Sequence, residues 1–167
     1  MGDRSPHRVI GGSDNHLGTP GLDDYAPTVQ QHAGLAVVLA SACTREAIFD
    51  ALEARRCYAT TGPRILLDVT VDGQPMGSEI SRGAKATIPI DVRVTGTSAL
   101  ASVEIVKLVG GDFVTVKTAA LDPGAETSTL AFVDSLDAST LYYVRVLQTD
   151  GEMAWSSPVW IDMSSSS

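Results

Sequence analysis

The feature that most constrains this chain is an alternation of apolar and polar residues that begins near Pro63. In the first such run every second residue from Ile65 to Val71 is apolar, and a period of two places those side chains on one face of a strand. The sequence predicts seven short strands, over residues 65–71, 86–94, 102–108, 113–118, 127–133, 141–148 and 153–161. Seven short strands in about a hundred residues favour an antiparallel β-sandwich.

Turn residues lie between several of these runs. Asp72-Gly73, Gly110-Gly111-Asp112 and Asp150-Gly151 have the composition of tight hairpin turns. Pro89 lies among the outward residues of the second strand and has no N–H to donate. We therefore expect that strand to lie at the edge of its sheet.

Residues 1–62 follow a different pattern, which predicts strand, loop, strand and helix. A short apolar run over residues 8–10 ends in glycines, and a polar loop extends to Gln31. Residues 35–40 are continuously apolar, which is typical of a parallel strand with both faces covered by helices.

The predicted helix begins after Thr44, a plausible N-cap, and has Glu46 in its first turn. Ile48, Ala51 and Leu52 form its apolar stripe, which Phe49 widens. Arg55 and Arg56 are expected in the last turn, where cations favour the helix dipole; a phosphate-binding role is the alternative for them.

Two cysteines flank this helix. Fourteen helical steps place Cys43 and Cys57 roughly 20 Å apart, well beyond the reach of a disulfide. We expect two free thiols in packed positions.

The charge balance limits the possible partners. The formal net charge is −8, and the densest basic spot is Arg55-Arg56. An acidic chain without a basic stripe is a poor candidate for nucleic acid or an anionic membrane, and no apolar run reaches the roughly 20 residues that span a bilayer. We expect neither a nucleic-acid nor a membrane partner.

The strongest chemical signal is the stretch from Gly11 to Leu17, which contains Asp14 and His16 two residues apart. In extended backbone both side chains point to one side. A carboxylate and an imidazole that converge at a strand end supply half of a metal site. The alternative is an Asp/His pair in a polar loop, satisfied by turn hydrogen bonds.

The end of the chain resembles a fibronectin type III or immunoglobulin-like module over residues 63–163. The residues that match that fold's penultimate-strand pattern are Leu136, Thr140, Tyr142, Val144, Arg145 and Val146, whereas Ala138 stands where the pattern has proline. The resemblance implies that Tyr142 is the tyrosine-corner residue, whose hydroxyl bonds to upstream backbone. It implies little about function.

A second resemblance concerns activity. Residues 10–16 and 44–63 resemble the end of a PHP (polymerase and histidinol phosphatase) domain, a metal-dependent hydrolase on a distorted β/α barrel. In that superfamily a late G-S-D-x-H motif donates its Asp and His to a cluster of two or three metals. The resemblance implies that Asp14 and His16 are metal ligands for Mn, Fe or Zn, and that the parent enzyme hydrolyses phosphoesters.

The chain departs from the PHP pattern in what it lacks. The early H-x-H pair, the bridging glutamate and the middle histidines have no counterpart, and His7 and His32 show no ligand spacing. A β/α barrel takes about 250 residues. We therefore expect residues 1–62 to be a C-terminal barrel fragment, 63–163 a β-sandwich and 164–167 a disordered tail.

These expectations define two functional hypotheses. In the first, the chain belongs to a PHP-like hydrolase, is inactive alone, binds no metal tightly, and has the upstream barrel as its partner. In the second, the sandwich is a non-catalytic binding or scaffold module with a vestigial N-terminal segment. Exposed faces at Val37, Leu39, Ile48 and Leu52 also predict self-association. Thr60-Thr61-Gly62 is either a simple strand entry or part of the mouth of the metal site.

Overall fold

A computed structural model describes residues 9–13, 33–83 and 85–164. Within these ranges the chain forms one α-helix and twelve strands, arranged in two sheets. The elements in chain order are β1 (Leu35–Val38), α1 (Arg45–Glu53), β2 (Cys57–Thr60), β3 (Leu66–Val71), β4 (Gln74–Pro75), β5 (Glu79–Arg82), β6 (Ala86–Thr95), β7 (Leu100–Val109), β8 (Asp112–Thr118), β9 (Thr127–Leu136), β10 (Thr140–Gln148), β11 (Met153–Ser156) and β12 (Val159–Met163). The prediction of a mainly β chain is confirmed.

The smaller sheet has the strand order β4-β3-β6-β9. The larger sheet is built around β10, which pairs with β7 along one side and with β11 and β12 in turn along the other. β8 continues this sheet beyond β7, and β2 followed by β1 continues it beyond β11. β5 joins β12 in the parallel direction.

The two sheets share one core. A single buried cluster takes Val69 and Ile90 from the smaller sheet and Ile105 and Val144 from the larger. The predicted alternation is confirmed in two strands of the smaller sheet, since the buried positions of β3 and β6 fall on every second residue. The two sheets therefore pack face to face, and the apolar residues at every second position of β3 and β6 lie between them.

The last predicted strand is divided in two. Residues 153–161 form β11 and β12, separated by Ser157 and Pro158. Ser157 is fully buried, and its hydroxyl donates to the Cys57 carbonyl at 2.6 Å. This break lets β10 pair with β11 at one end and with β12 at the other.

The expectation that Pro89 marks an edge strand is wrong, because β6 lies between β3 and β9. The pairing of β6 with β3 ends at Ile90, however, and does not include the neighbouring Pro89. The chain there turns away at Asp72, whose N–H donates to the Pro89 carbonyl at 2.7 Å. Pro89 is tolerated in a central strand because the neighbour that would need its N–H has ended.

The N-terminal segment also departs from the prediction. Val9 and Ile10 lie outside any strand. β1 pairs antiparallel with β2, and none of its four residues is fully buried. In place of a parallel strand covered by helices, β1 and β2 extend the larger sheet, and the described residues form no barrel.

Helix α1 begins as predicted and ends earlier than predicted. The Thr44 hydroxyl accepts a hydrogen bond from the Ala47 N–H at 3.2 Å. The helix stops at Glu53, so Arg55 and Arg56 lie beyond its last turn. Arg55 has a φ of 57°, the left-handed conformation that commonly ends a helix. Nothing helical within the described ranges has the length and apolar content that crossing a bilayer requires.

Arg55 joins the helix end to the larger sheet. Its Nε donates to the Gly77 carbonyl at 2.9 Å, and its guanidinium pairs with Glu79 at 2.7 Å. The guanidinium also lies 5.1 Å from the centre of the Trp160 ring, a cation–π contact. Arg55 thus positions the helix. This role differs from both roles considered from the sequence, which were helix-end electrostatics and phosphate binding.

Both cysteines are free thiols, as predicted. Cys57 is buried, but Cys43 is exposed, so the expectation of two packed thiols is wrong for Cys43. Cys43 lies in the short connection before α1, whereas Cys57 begins β2 inside the larger sheet.

Asp134 connects the two sheets. Its carboxylate, on β9, accepts from the Tyr142 hydroxyl at 2.5 Å and from the Lys107 ammonium at 2.8 Å, both on the larger sheet. Burial raises the pKa of Asp134, but the bonds from Lys107 and Tyr142 outweigh that effect, so its pKa is lowered. Burial and the same carboxylate raise the pKa of Tyr142. The Tyr142 hydroxyl therefore bonds to a side chain and not, as a tyrosine corner would, to upstream backbone.

We expect Asp134→Asn to lower the free energy of unfolding at pH 7 by about 1–2 kcal/mol, because it removes the charge from two charge-assisted hydrogen bonds. A lowered folded-state pKa stabilises the fold above the unfolded value near 3.9, and the contribution disappears as the pH falls through the folded value. Urea unfolding at pH 7 and at about pH 2.5 should show a smaller difference between wild type and variant at the lower pH.

Asp68→Asn is the matched control, because Asp68 forms an exposed pair with Arg93 at 3.6 Å. Such a pair contributes little, so this variant should unfold like wild type at both pH values. An Asp134→Asn deficit as large at low pH as at pH 7 would contradict the electrostatic account of the contact.

Candidate functional site

The two predicted metal ligands, Asp14 and His16, lie outside the described residues, as do His7 and His32. Among the residues that are described, no three His, Cys, Asp or Glu side chains lie close enough together to hold a metal. What the structure does describe is the backbone that leads into the motif, residues 9–13.

Glycines allow this backbone to approach the rest of the fold closely. A Cβ at Gly11 would lie 2.1 Å from the Leu35 carbonyl oxygen, and one at Gly34 would lie 2.8 Å from the Gly12 oxygen. The same Gly34 position is 3.3 Å from the Thr60 oxygen. Three backbone segments therefore meet here: the start of the motif, the residues just before β1, and the end of β2. No side chain larger than hydrogen fits at Gly11 or Gly34 without displacing main chain.

Thr60-Thr61-Gly62 occupies one side of this junction. Thr60 is 2% exposed, and its hydroxyl accepts from the Gly62 N–H at 3.3 Å. Gly62 has a φ of 140°, which favours glycine and supports the simple backbone explanation of that residue. The Thr61 hydroxyl donates to the Glu152 carboxylate and accepts from the Met153 N–H. The segment is thus fixed to the larger sheet at the point where the motif backbone arrives.

Cys57 lies beneath the motif backbone. Its thiol donates to the Val9 carbonyl at 3.6 Å and lies 3.7 Å from the Ser157 hydroxyl. Cys57 is fully buried, and the Val9 carbonyl is one of the groups that cover its thiol. Cys57 is therefore a natural reporter of whether this segment is docked.

A second polar network orders the neighbouring turn. The Gln148 side chain is 1% exposed; its oxygen accepts from the Thr97 N–H at 2.8 Å, and its nitrogen donates to Asp150. Burial raises the pKa of Asp150, but hydrogen bonds from the Glu152 N–H and from Gln148 outweigh it, so that pKa is lowered. The sequence identified the Asp150-Gly151 turn but missed Gln148. The only sequence signal for Gln148 was an amide side chain at a core-facing position of a predicted strand.

Comparison with known proteins gives relatives without an assigned function. Residues 19–72 match the model of a family described as a protein of unknown function, DUF3604. An uncharacterised protein of Chlamydia pneumoniae is 34% identical over 168 residues, covering 86% of this chain and 26% of that protein. One of Chlamydia trachomatis is 34% identical over 172 residues, covering 93% of this chain and 27% of that protein.

The chain thus spans about a quarter of the length of the curated relatives it matches. The family match extends from the N-terminal segment through the whole of β3. The similarity to the chlamydial proteins covers so much of the chain that it must include both residues 1–62 and residues 63–163, at least in part. The sequence similarity to these longer polypeptides therefore includes both the N-terminal segment and the strands that follow it.

We predict that Gly11→Ala increases the reaction rate of the Cys57 thiol with a disulfide reagent about tenfold or more. The added Cβ overlaps the Leu35 carbonyl, and overpacking of this kind costs about 1–3 kcal/mol, which would favour release of the segment over Cys57. The measurement is made in a Cys43→Ser background, so that Cys57 is the only thiol.

Gly12→Ala provides the matched control. No described atom lies within 4 Å of a Cβ placed at Gly12, so this variant should react at the rate of the Cys43→Ser parent. Equal rates for the Gly11 and Gly12 variants would show that close backbone packing does not hold the segment.

Proposed function

We propose that this chain is part of a longer PHP-like hydrolase that cleaves phosphoesters with divalent metals, and that Asp14 and His16 are two of its metal ligands. The observation that carries the proposal is the Gly-Gly-Ser-Asp-Asn-His motif of residues 11–16 together with the resemblance of residues 44–63 to the end of a PHP domain. In isolation the 167-residue chain is inactive.

The backbone before the motif supports this proposal. Metal ligands must be held within a fraction of an ångström, which requires a rigid supporting structure. Ser13, the residue before Asp14, directly follows glycines that pack against the backbone of Leu35 and Gly34. The close packing at Gly11 and Gly34 supplies such support just before the proposed ligands.

The length of the relatives supports it as well. The matched part is about a quarter of each chlamydial protein, so about three quarters of such a polypeptide remain to supply other groups. A PHP centre needs an H-x-H pair, a bridging glutamate and further histidines, none of which has a counterpart in this chain. We propose that the upstream part of the polypeptide supplies them and is the partner of the N-terminal segment.

The donor set fits a hydrolytic metal. A carboxylate with an imidazole suits Mn, Fe or Zn. When bound, such a metal lowers the pKa of coordinated water and stabilises charge on a phosphoryl oxygen. In this chain the Asp14 carboxylate and a His16 ring nitrogen would hold the metal, and the junction at Gly34 fixes the backbone of residues 9–13 that leads to them.

We further propose that residues 63–163 are an accessory sandwich of the immunoglobulin or fibronectin III type. The strand order supports this proposal, because β3-β6-β9 against β8-β7-β10 with β11 and β12 is the order expected if these strands were the A-B-E and C′-C-F-G sheets of such a module. Two features differ from a simple seven-stranded form: β5 adds a parallel strand beside β12, and Tyr142 bonds to the Asp134 carboxylate.

The test uses the complete natural polypeptide that contains this chain. We expect purified protein to carry Mn, Fe or Zn and to hydrolyse bis-p-nitrophenyl phosphate. Asp14→Ala and His16→Ala should each lower the rate at least about 100-fold and reduce the metal content, because each removes a direct ligand. Asp50→Ala, which removes an exposed carboxylate of α1, is the control and should retain both.

Full metal content and activity in both ligand variants would contradict the proposal and favour the non-catalytic scaffold. The 167-residue chain alone, dialysed after exposure to excess Mn²⁺ or Zn²⁺, should retain no stoichiometric metal, because two protein ligands leave most of the coordination sphere to water.

A further inference from the structure

The outer faces of the two sheets differ in composition. In the smaller sheet the outward residues of the central strand β6 are all exposed, and they include Thr87, Asp91 and Arg93. The larger sheet instead turns apolar side chains away from the shared core, among them Leu108, Phe113, Leu141, Tyr143, Trp155 and Trp160. Because a sheet face that meets water is normally polar, an apolar outer face indicates a surface that packs against another body.

Two tryptophans share this face because the last predicted strand is divided. In one continuous strand Trp155 and Trp160, five residues apart, would point to opposite sides. The interruption at residues 157–158 resets the alternation, so that Trp155 stands opposite Arg145 and Trp160 opposite Leu141. Arg145 and Leu141 are four residues apart on β10 and point to the same side. Both tryptophans therefore lie on the outer face, and each is only partly buried.

The apolar residues extend across the sheet to its edge at β8. Phe113 of β8 stands opposite Leu108 of β7 and packs edge-on against Tyr143 of β10, with 5.6 Å between the ring centres. Tyr143 lies two residues from Leu141, which in turn stands opposite Trp160. Phe113 is 60% exposed. An apolar patch that spans several strands and retains exposed rings is typical of a protein–protein contact surface.

This face also carries the backbone that leads to the proposed metal ligands. Ala59 of β2 stands opposite Trp155, and Cys57, two residues before Ala59, points to the same side. The Cys57 thiol contacts the Val9 carbonyl at 3.6 Å, so the backbone at Val9 lies on the same side of the sheet as Trp155. The proposed ligands follow Val9 within seven residues, at most about 25 Å of extended chain. Any segment that completes their metal centre therefore comes close to this face.

We propose that the upstream part of the complete polypeptide packs on the outer face of the larger sheet, from Trp155 to Phe113. The inference rests on the proposed function, which assigns the missing metal ligands to that upstream part. Two observations select this occupant. About three quarters of each chlamydial relative lies outside the matched part, and the face is continuous with the backbone that leads to the proposed ligands. Packing there buries the aromatic rings and holds the two sheets beside the metal centre.

The experiment is photo-cross-linking within the complete natural polypeptide, with p-benzoylphenylalanine in place of Phe113. Its ring replaces an exposed ring, so the fold should be retained. We expect cross-links to peptides upstream of this chain. The same substitution at Val133 is the matched control, because Val133 is also 60% exposed but lies on the smaller sheet. The yield of upstream cross-links at Phe113 should exceed that at Val133 at least about fivefold, since only an interface keeps a partner in constant contact.

Equal yields at the two positions overturn the proposal, and so does the absence of any cross-link at Phe113. Cross-links that double the mass of the polypeptide identify a second copy as the occupant, and cross-links to peptides of this chain identify the chain itself. Either result also overturns it. Metal content and hydrolysis are measured on the same preparations. Upstream cross-links in a protein without metal or activity contradict the proposed function alone, whereas an active metalloprotein without such cross-links contradicts the packing surface alone.

Discussion

The pairing of β2 with β11 is the contact on which the rest of this structure depends. Tyr58, Ala59 and Thr60 stand opposite Ser156, Trp155 and Ala154. The Tyr58 side chain enters the shared core, where its hydroxyl donates to the Ile65 carbonyl at 2.9 Å and accepts from the Leu67 N–H at 3.3 Å. Burial raises the pKa of this hydroxyl and outweighs the opposing effect of the Leu67 bond. One short strand thus joins the N-terminal segment to both sheets.

Each feature of the N-terminal segment follows from that strand. β1 pairs with β2, and the backbone of residues 9–13 packs beside both. The helix between β1 and β2 is fixed at its end by Arg55, which bonds to the segment before β5 and contacts Trp160 of β12. The proposed metal ligands therefore follow a backbone whose position is set by the larger sheet. In the proposed enzyme this makes the sandwich a support for one wall of the metal centre.

Local sequence pattern predicted the elements whose structure is decided locally. The alternation in β3 and β6 marked core positions because one face of each strand meets the other sheet. The N-cap at Thr44 was readable because a hydroxyl three residues before a free N–H satisfies it within one turn. The turns at Asp72-Gly73 and Gly110-Gly111 were readable because both require positive φ.

The predictions that were wrong or missing concern residues whose structure depends on partners elsewhere in the sequence. The apolar run at β1 suits a buried parallel strand and an antiparallel extension equally well, and only the position of β2 decides between them. Whether the strand that contains Pro89 lies at the edge or in the centre of its sheet could be decided only by knowing where β3 ends. The partners of Tyr142 and Arg55, namely Asp134 and Glu79, are 8 and 24 residues away and carry no motif. Asp14 and His16 lie outside the described residues, so their role rests on the sequence motif.

The central claim is that Asp14 and His16 bind a metal within a longer polypeptide. Anomalous diffraction at the Mn, Fe or Zn absorption edge, from crystals of the complete metal-loaded protein, tests it most directly. The account predicts an anomalous peak about 2.0–2.3 Å from an Asp14 carboxylate oxygen and from a His16 ring nitrogen, with the remaining ligands supplied by upstream residues. A metal peak coordinated entirely by other residues, with both of these side chains remote from it, would contradict the account.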